Sequence, residues 1–420
     1  MKTVPNILLV TNIIPDENGG GGSVSLNTLC SMYPSDRIGI CLLNPTGLVI
    51  WPSSLSHVRH IVVKSPPEKG YEHGLPSCFR TSYRWLIDAY ISQRFIPKIV
   101  RHITDFGKSC SAELVWIPLN SPVMIKIGRK VSNSLDIPLL TTVWDTPRYK
   151  LYRHGLRGTL LNSYLKLFGE NIRASTRCSV VSEEMKQFYE ERYGVPCVVM
   201  QHGIDRKHWR EPSQGLQRDE AFVIGFAGSL YALKEWSALV EALNCIGWKL
   251  EGRDVIIRQM TNEIAFQLNG PARIEFYGWR PFEETLTLLS DVDVCYLPYW
   301  MDSFYEEVVR LAFPTKLSLY LACGKPVFFH GPRDSSPVHF FQRFPVGLCC
   351  HSLEKQNIIE CLYILATDKE YYARAARAGR EALEIELGLH IYRRRFAEFI
   401  GVSEERLVYT VEGHSRDSYD

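Results

Sequence analysis

The feature that most constrains this chain is an alternation, run once, interrupted, and then repeated. Short β-branched apolar runs at 7–10, 39–43, 61–63, 114–117, 139–143 and 179–181 read as buried strands. Helical spacing fills the gaps between them, at 23–32 and over a long stretch at 83–106. Strands separated by helices of this length pair in parallel through right-handed crossovers, which predicts a doubly wound α/β layer. The polar stretch EPSQGLQRDE at 211–220 breaks the pattern and reads as a linker. The alternation then restarts, with strands at 222–226, 254–258, 273–276, 292–297 and 326–329 and helices at 234–246, 281–289 and 316–321. A strong helix at 381–399 precedes a polar tail expected to be mobile.

The expected organisation is therefore a Rossmann-like domain at 1–210, a linker at 211–220 and a second Rossmann-like domain at 221–385. A helix at 386–400 is expected to pack back toward the first domain, and 401–420 is the mobile tail. Ligands of such folds bind beyond the carboxyl ends of the strands, so the expectation is one active site in a cleft faced by both domains.

Composition narrows the class. The 48 Lys and Arg residues nearly balance 46 Asp and Glu, which argues against wholesale nucleic-acid binding. The 12 cysteines form no CxxC pair and no zinc-type cluster, and most sit in apolar contexts, so they read as free buried thiols of a reducing compartment. No stretch approaches the roughly 18–20 apolar residues of a membrane span. The expected location is the cytoplasm, with contact at the inner face of the membrane compatible with the sequence.

Several segments carry chemistry. In FAGSLYALKEWSALVEAL, Gly228 and Ser229 end a strand and Lys234 opens an amphipathic helix. Such a junction offers backbone N–H groups and a positive charge to a diphosphate, although a lysine at a helix start is equally a solvated residue. In LAFPTKLSLYLACGKPVFFHGP, Pro314 precedes a helix with Thr315 as its cap. Lys316 stands in the first turn, so free amides at Thr315, Lys316 and Leu317 could meet phosphate oxygens. In the first half, the loop ENGGGGS carries Gly20, Gly21, Gly22 and Ser23 between strand and helix, where backbone can approach a ligand closely. Asp145 follows the strand LLTTVW, where it either orients or deprotonates an acceptor hydroxyl or caps a turn before Pro147. His202 in QHGID reads as structural rather than catalytic, with Gly203 supplying a turn. The segment 148–169 mixes Arg148, Lys150, Arg153, Arg157 and Lys166 with apolar residues. It is a solvated helix face, or a surface for anionic lipid or a lipid-linked acceptor.

Four of these stretches, in order, resemble retaining GT-B glycosyltransferases of the bacterial cell-surface polysaccharide type. GSLYALKEWSALVEAL is similar to their donor-domain opening. FYGWRPFEETLTLLSDVDVCYLPY resembles the middle strand–helix–strand, and FPTKLSLYLACGKPVFFHGPRDSSPVHFF the donor-site helix. SVVSEEMKQFYEERYGVPCVVMQHGIDRKHW resembles the end of the acceptor domain. The resemblance implies that Gly228, Lys234, Thr315, Lys316 and Leu317 meet the donor diphosphate and that Tyr277 and Gly278 lie beside the base. Ser229 stands where the family often has arginine. Leu319 replaces the usual ribose-binding carboxylate, for which Glu306 or Glu307 are the candidate substitutes, and Trp144 replaces a histidine common before Asp145. The implied function is hexose transfer, with retention, from a nucleoside diphosphate sugar to a glycan or lipid-linked acceptor, with no cofactor and no metal. A sugar-nucleotide epimerase and a non-catalytic partner subunit are the rival readings, the second favoured by Leu319.

Overall fold

The computed structural model describes residues 4–67, 77–216, 220–262 and 273–408. It divides into two compact units, one of residues 1–200 and 393–420, the other of residues 201–392.

The first unit opens with β1 (Ile7–Thr11), α1 (Gly21–Ser31), β2 (Ile38–Asn44) and β3 (Arg59–Lys64). Then come α2 (Ser77–Tyr90), α3 (Ile96–Ser109), β4 (Leu114–Pro118), α4 (Pro122–Leu135) and β5 (Leu139–Thr142). It continues with α5 (Pro147–Arg153), α6 (Gly158–Ala174), β6 (Ser175–Val180), α7 (Glu183–Tyr193) and β7 (Cys197–Val199). Its strands run parallel in the order β3-β2-β1-β4-β5-β6-β7. The chain direction across the sheet reverses between β1 and β4. All side chains of β1, β4 and β5 are buried, as strands covered on both faces require. Local signals set the helix ends: Ser182 caps α7 by accepting the Met185 amide at 3.0 Å, and Gly194 closes it at φ +67°.

The second unit repeats the plan. β8 (Ala221–Ala227), α8 (Leu233–Cys245), β9 (Lys249–Leu250), β10 (Arg253–Met260) and β11 (Ile274–Phe276) precede α9 (Phe282–Ser290) and β12 (Val294–Pro298). They are followed by α10 (Glu306–Leu311), α11 (Lys316–Ala322), β13 (Val327–His330), α12 (Ser336–Arg343) and β14 (Gly347–Cys350). The helices α13 (Lys355–Thr367), α14 (Lys369–Ala382) and α15 (Leu389–Ile400) complete the series. The parallel order is β11-β10-β8-β12-β13-β14, with β9 antiparallel on β10. Here the reversal falls between β8 and β12. One apolar cluster, including Phe222, Phe226, Trp236, Leu239, Tyr296 and Phe328, fills the space between sheet and helices. Gly347 admits no substitution: a Cβ there would lie 1.8 Å from the Val327 carbonyl oxygen of β13. Gly347→Ala should destabilise the chain by about 2–3 kcal/mol, because backbone on the neighbouring strand has to move. A lowered urea midpoint at unchanged slope would show it.

The two doubly wound layers agree with the sequence reading; several boundaries do not. Residues 201–216 lie with the second unit: the Arg210 amide donates to Ala322 at 2.8 Å and the Ser213 amide to Gly324 at 2.9 Å. The start of the expected linker is thus held, and 217–219 lie outside the described residues. The expected long helix at 83–106 is two helices joined through a π-turn at Ile91–Phe95. The helix expected at 381–399 is likewise broken, by a π-turn at Leu383–Leu387 and Gly388. A Cβ on Gly203 would come within 2.7 Å of the Gly388 carbonyl, so Gly203 serves a close backbone approach as much as a turn. The unit boundary falls within α15: Phe396 and Phe399, in its part that belongs to the first unit, pack tilted and edge-on against Trp116 at 5.6 and 5.9 Å. The tail is packed at its start, with Leu407 buried and the Val408 amide donating to Met32 at 2.9 Å. The remainder of that expectation, 409–420, lies outside the described residues. The basic segment 148–169 is two helices, separated by a turn carrying Gly155 at φ +81° and ending at Gly158 at φ +52°. Among the described residues no helix is long and apolar enough to cross a membrane.

Candidate functional site

The second unit gathers most of the anticipated donor residues at the carboxyl end of its sheet, beside the reversal of strand order. β8 leads into Gly228, whose φ of +85° suits glycine. Its amide donates to Met260 at the end of β10 at 2.9 Å, and the Tyr277 amide donates to the neighbouring Gln259 at 2.9 Å. Gly228 and Tyr277 are thereby fixed on either side of one strand end, and Gly278 turns the chain away at φ +69°.

Lys316 reaches this loop from a distant part of the sequence. Tyr320, one turn further along α11, pins the helix to β8 by accepting the Ala227 amide at 3.1 Å. The Lys316 ammonium consequently lies under the loop and donates to the Ser229 carbonyl at 3.2 Å. It also sits 4.3 Å from the Phe226 ring centre and 5.1 Å from that of Tyr231, both suitable cation–π distances. A Cβ on Gly228 would lie 3.8 Å from the ammonium nitrogen, so the glycine leaves that approach open. Burial lowers the Lys316 pKa from the ordinary 10.5 to about 7.

Lys234 behaves differently. Its ammonium pairs with Asp302 at 2.6 Å, and this hydrogen bond raises the lysine pKa and lowers that of the carboxylate. Lys234 is exposed in this pair, and its expected reach toward phosphate would exchange the Asp302 carboxylate for the diphosphate. Asp302 was not anticipated, since its pairing spans 68 residues of sequence and no local pattern announces it. It belongs to a strap, residues 300–305, tied by two further bonds to the loop after β8 and to α8. The Trp300 indole donates to the Tyr231 carbonyl at 2.9 Å, and the Met301 amide donates to buried Glu235 at 2.6 Å. Burial raises the Glu235 pKa. Trp300 stacks on Tyr305 at 4.4 Å and lies 4.4 Å from Tyr231, giving the loop an aromatic wall.

Other expectations need revision. Thr315 is exposed and makes no capping bond, because its own backbone is already helical. The Leu317 amide is not free: it donates to the Pro314 carbonyl at 3.0 Å, and the side chain is buried. Glu306 is exposed and Glu307 half-buried in the first turn of α10, directly after the strap. Leu319 is half-buried, and its side chain offers no acceptor.

In the first unit, α1 starts at Gly21, not at the serine, so Gly21 and Gly22 form its first turn with Gly20 as cap. Gly22 packs against Trp144, a Cβ there meeting the indole at 3.4 Å, which brings the glycine segment beside Asp145. Ser23 is buried and closes the loop internally: its hydroxyl donates to the Ile14 carbonyl and accepts the Asp16 amide at 3.1 Å. Asp145, half-buried beyond β5, pairs with Lys150 at 2.7 Å. Sequence reasoning missed Asn12, Asn120 and Thr146. They lie one, two and four residues beyond the ends of the adjacent strands β1, β4 and β5, and each has a buried side-chain oxygen with no hydrogen-bond partner among the described residues. His202 is structural: burial lowers its pKa to about 4, and Tyr392 packs edge-on at 5.8 Å. The cysteines described are free thiols, most of them buried, as expected.

Among the described residues no group of His, Cys, Asp and Glu is arranged to hold a metal ion. No family model matches the chain, and no curated protein is similar to it in sequence. Its fold is nonetheless shared with solved GT-B glycosyltransferases. HepE of Anabaena, solved with UDP and glucose, is 14% identical at a TM-score of 0.64, the match covering 94% of this chain and 99% of that one. Sucrose-phosphate synthase of Thermosynechococcus elongatus is 14% identical at 0.63, covering 92% and 96%. WaaG, a glycosyltransferase involved in lipopolysaccharide biosynthesis, is 11% identical at 0.58, covering 94% and 100%. The fold is thus that of GT-B glycosyltransferases, two Rossmann-like units in series.

Proposed function

We propose that the chain is a nucleotide-sugar-dependent glycosyltransferase that moves a hexose from a nucleoside diphosphate sugar to a glycan or lipid-linked acceptor in cell-surface polysaccharide synthesis. The observation that carries this reading is the Lys316 ammonium held beneath the Gly228–Ser229 loop at the carboxyl end of the second sheet. A half-buried cation beside the backbone of a strand-end loop suits a pyrophosphate and the charge that develops on it as the sugar departs. The second unit would hold the donor, with Tyr277 and Gly278 beside the base and the Trp300 and Tyr305 wall beside the sugar. The first unit would hold the acceptor, with Asp145 orienting its hydroxyl or taking its proton. Retention, independence from metal, and work at the cytoplasmic face of a membrane complete the reading.

Thermal-shift titration with UDP, GDP, ADP and dTDP tests the donor half. One of the four should raise the melting temperature, by an amount set by RT ln(1 + [L]/Kd). UDP is the first choice, since HepE was solved with it. No shift with any of them would favour a non-catalytic partner subunit. Leu319 in the ribose-contact position and the engagement of Lys234 by Asp302 support that second reading. A shift followed by conversion of the sugar nucleotide without acceptor would favour an epimerase.

A further inference from the structure

The loop that leaves β8 has an ammonium near each end. Lys316 lies beneath its start, and Lys234 stands beyond its far end, in the first turn of α8. Two cations about one loop suit a diphosphate. One of them is already covered: Oδ2 of Asp302 lies 2.6 Å from the Lys234 ammonium nitrogen. An exposed pair of this kind ordinarily contributes little, because fixing two mobile side chains offsets their attraction. Here one of the two is fixed in advance.

Asp302 is held at both carboxylate oxygens: Oδ1 accepts the Phe304 amide at 3.0 Å while Oδ2 takes the lysine. The strap that carries it is in turn fastened to α8. Lys234 and Glu235, adjacent in the helix, grip Asp302 and Met301, adjacent in the strap. Glu235 is 1% exposed, and its carboxylate accepts the Met301 amide at 2.6 Å as well as its own amide. Burial raises its pKa, so the surroundings disfavour the charge, and these two amides offset part of that cost. The Trp300 indole adds a further tie, to the Tyr231 carbonyl. A buried carboxylate devoted to a strap amide means that the fold itself sets where the strap lies.

We propose that Asp302 is an internal competitor for the diphosphate of the donor, and that Glu235 is the positioning residue that holds it over Lys234. In the free chain the carboxylate occupies the ammonium. A pyrophosphate brings more negative charge and several acceptor oxygens, so it takes the place of Asp302 and reaches both cations of the loop. A nucleoside without phosphate has nothing to exchange for the carboxylate, so the contact sharpens the preference for the diphosphate form. The inference rests on the second unit being the donor side of a glycosyltransferase.

The experiment is calorimetric titration of the full chain with UDP, and with GDP, ADP and dTDP in turn, at low ionic strength where exposed charges are least screened. Asp302→Asn keeps an acceptor for the Phe304 amide and removes only the charge, asparagine being as good a cap as aspartate. It should bind the preferred diphosphate about two- to fivefold more tightly and leave affinity for the matching nucleoside unchanged. Combined with Lys234→Gln, the gain should shrink by at least about half, because the competitor then has no ammonium to occupy. Glu235→Ala, which releases the strap, should give a gain that does not add to that of Asp302→Asn, whereas Glu235→Gln keeps an acceptor and should stay near the parent. If Glu235→Ala does not fold, Trp300→Phe loosens the same strap by removing the indole donor. Acylation of Lys234 by acetic anhydride, read by mass spectrometry without nucleotide, reports the pair directly. It should rise severalfold in Asp302→Asn, since the hydrogen bond to Asp302 raises the lysine pKa. Unchanged diphosphate affinity in Asp302→Asn, a gain shared equally by the nucleoside, or a full gain without Lys234 overturns the proposal. If the parent binds a diphosphate and Asp302→Asn does not alter it, the competitor alone falls; if neither form binds any of the four, the donor reading falls with it.

Discussion

Lys316→Ala is expected to weaken binding of the nucleoside diphosphate by roughly 10- to 150-fold, the equivalent of about 1.5–3 kcal/mol for a hydrogen bond to a charged group. Affinity for the nucleoside alone should change little, since the ammonium lies under the Gly228–Ser229 loop and not beside Tyr277. Equal losses for the two ligands would remove the phosphate role. The same lysine gives the interaction a pH signature. Burial holds it near pH 7 in the free chain, whereas diphosphate favours the ammonium form, so affinity should fall by about tenfold per pH unit above 7. A nucleotide sugar is the suitable probe, because its bridging pyrophosphate does not titrate in this range. The folded-state pKa lies below the ordinary 10.5, so between about 7 and 10 the unfolded chain holds more protons at this residue. This group alone therefore makes the fold more stable as pH rises, while donor affinity falls. Opposite trends in melting temperature and affinity, both flattened in Lys316→Ala, would be hard to produce any other way.

Asp145→Asn is expected to lower turnover by about 10²–10⁴, the usual contribution of a positioned acid or base, and to leave nucleotide binding unchanged. The carboxylate is partly open and its partner Lys150 is similarly exposed, so loss of the pair should cost less than about 1 kcal/mol of stability. A catalytic defect with an intact fold and intact donor binding is the expected combination. Turnover within about threefold of the parent would leave Asp145 as a turn residue before Pro147.

The architecture was legible because its signals are local. Buried parallel strands appear as continuous apolar runs such as Ile7–Thr11 and Val294–Pro298, and glycine with φ of +85° at position 228 marks a strand end. Gly228, Ser229 and Lys316 could be nominated from strand–glycine–helix punctuation and family resemblance together. Long helical periodicity was less informative. The apolar rhythm of 83–106 and 381–399 continues through π-turns that preserve the buried face while breaking the hydrogen-bond ladder. Capping signals failed at Thr315, because an adjacent proline carbonyl had already taken the Leu317 amide.

What the amino-acid sequence determined on its own is the pair of doubly wound layers and the strand ends at which ligands meet them, because periodicity and turn chemistry act between near neighbours. What the tertiary structure alone decided is which charges are available. Lys316 is half-buried beneath a loop 87 residues away, whereas Lys234 pairs with Asp302 at the surface. Likewise, the buried Asn12 side-chain oxygen has no partner among the described residues, while Ser23 is bonded within its own loop. Hydrogen-bond partnership and burial depend on chain segments far apart in sequence, and these set the electrostatics of both sites.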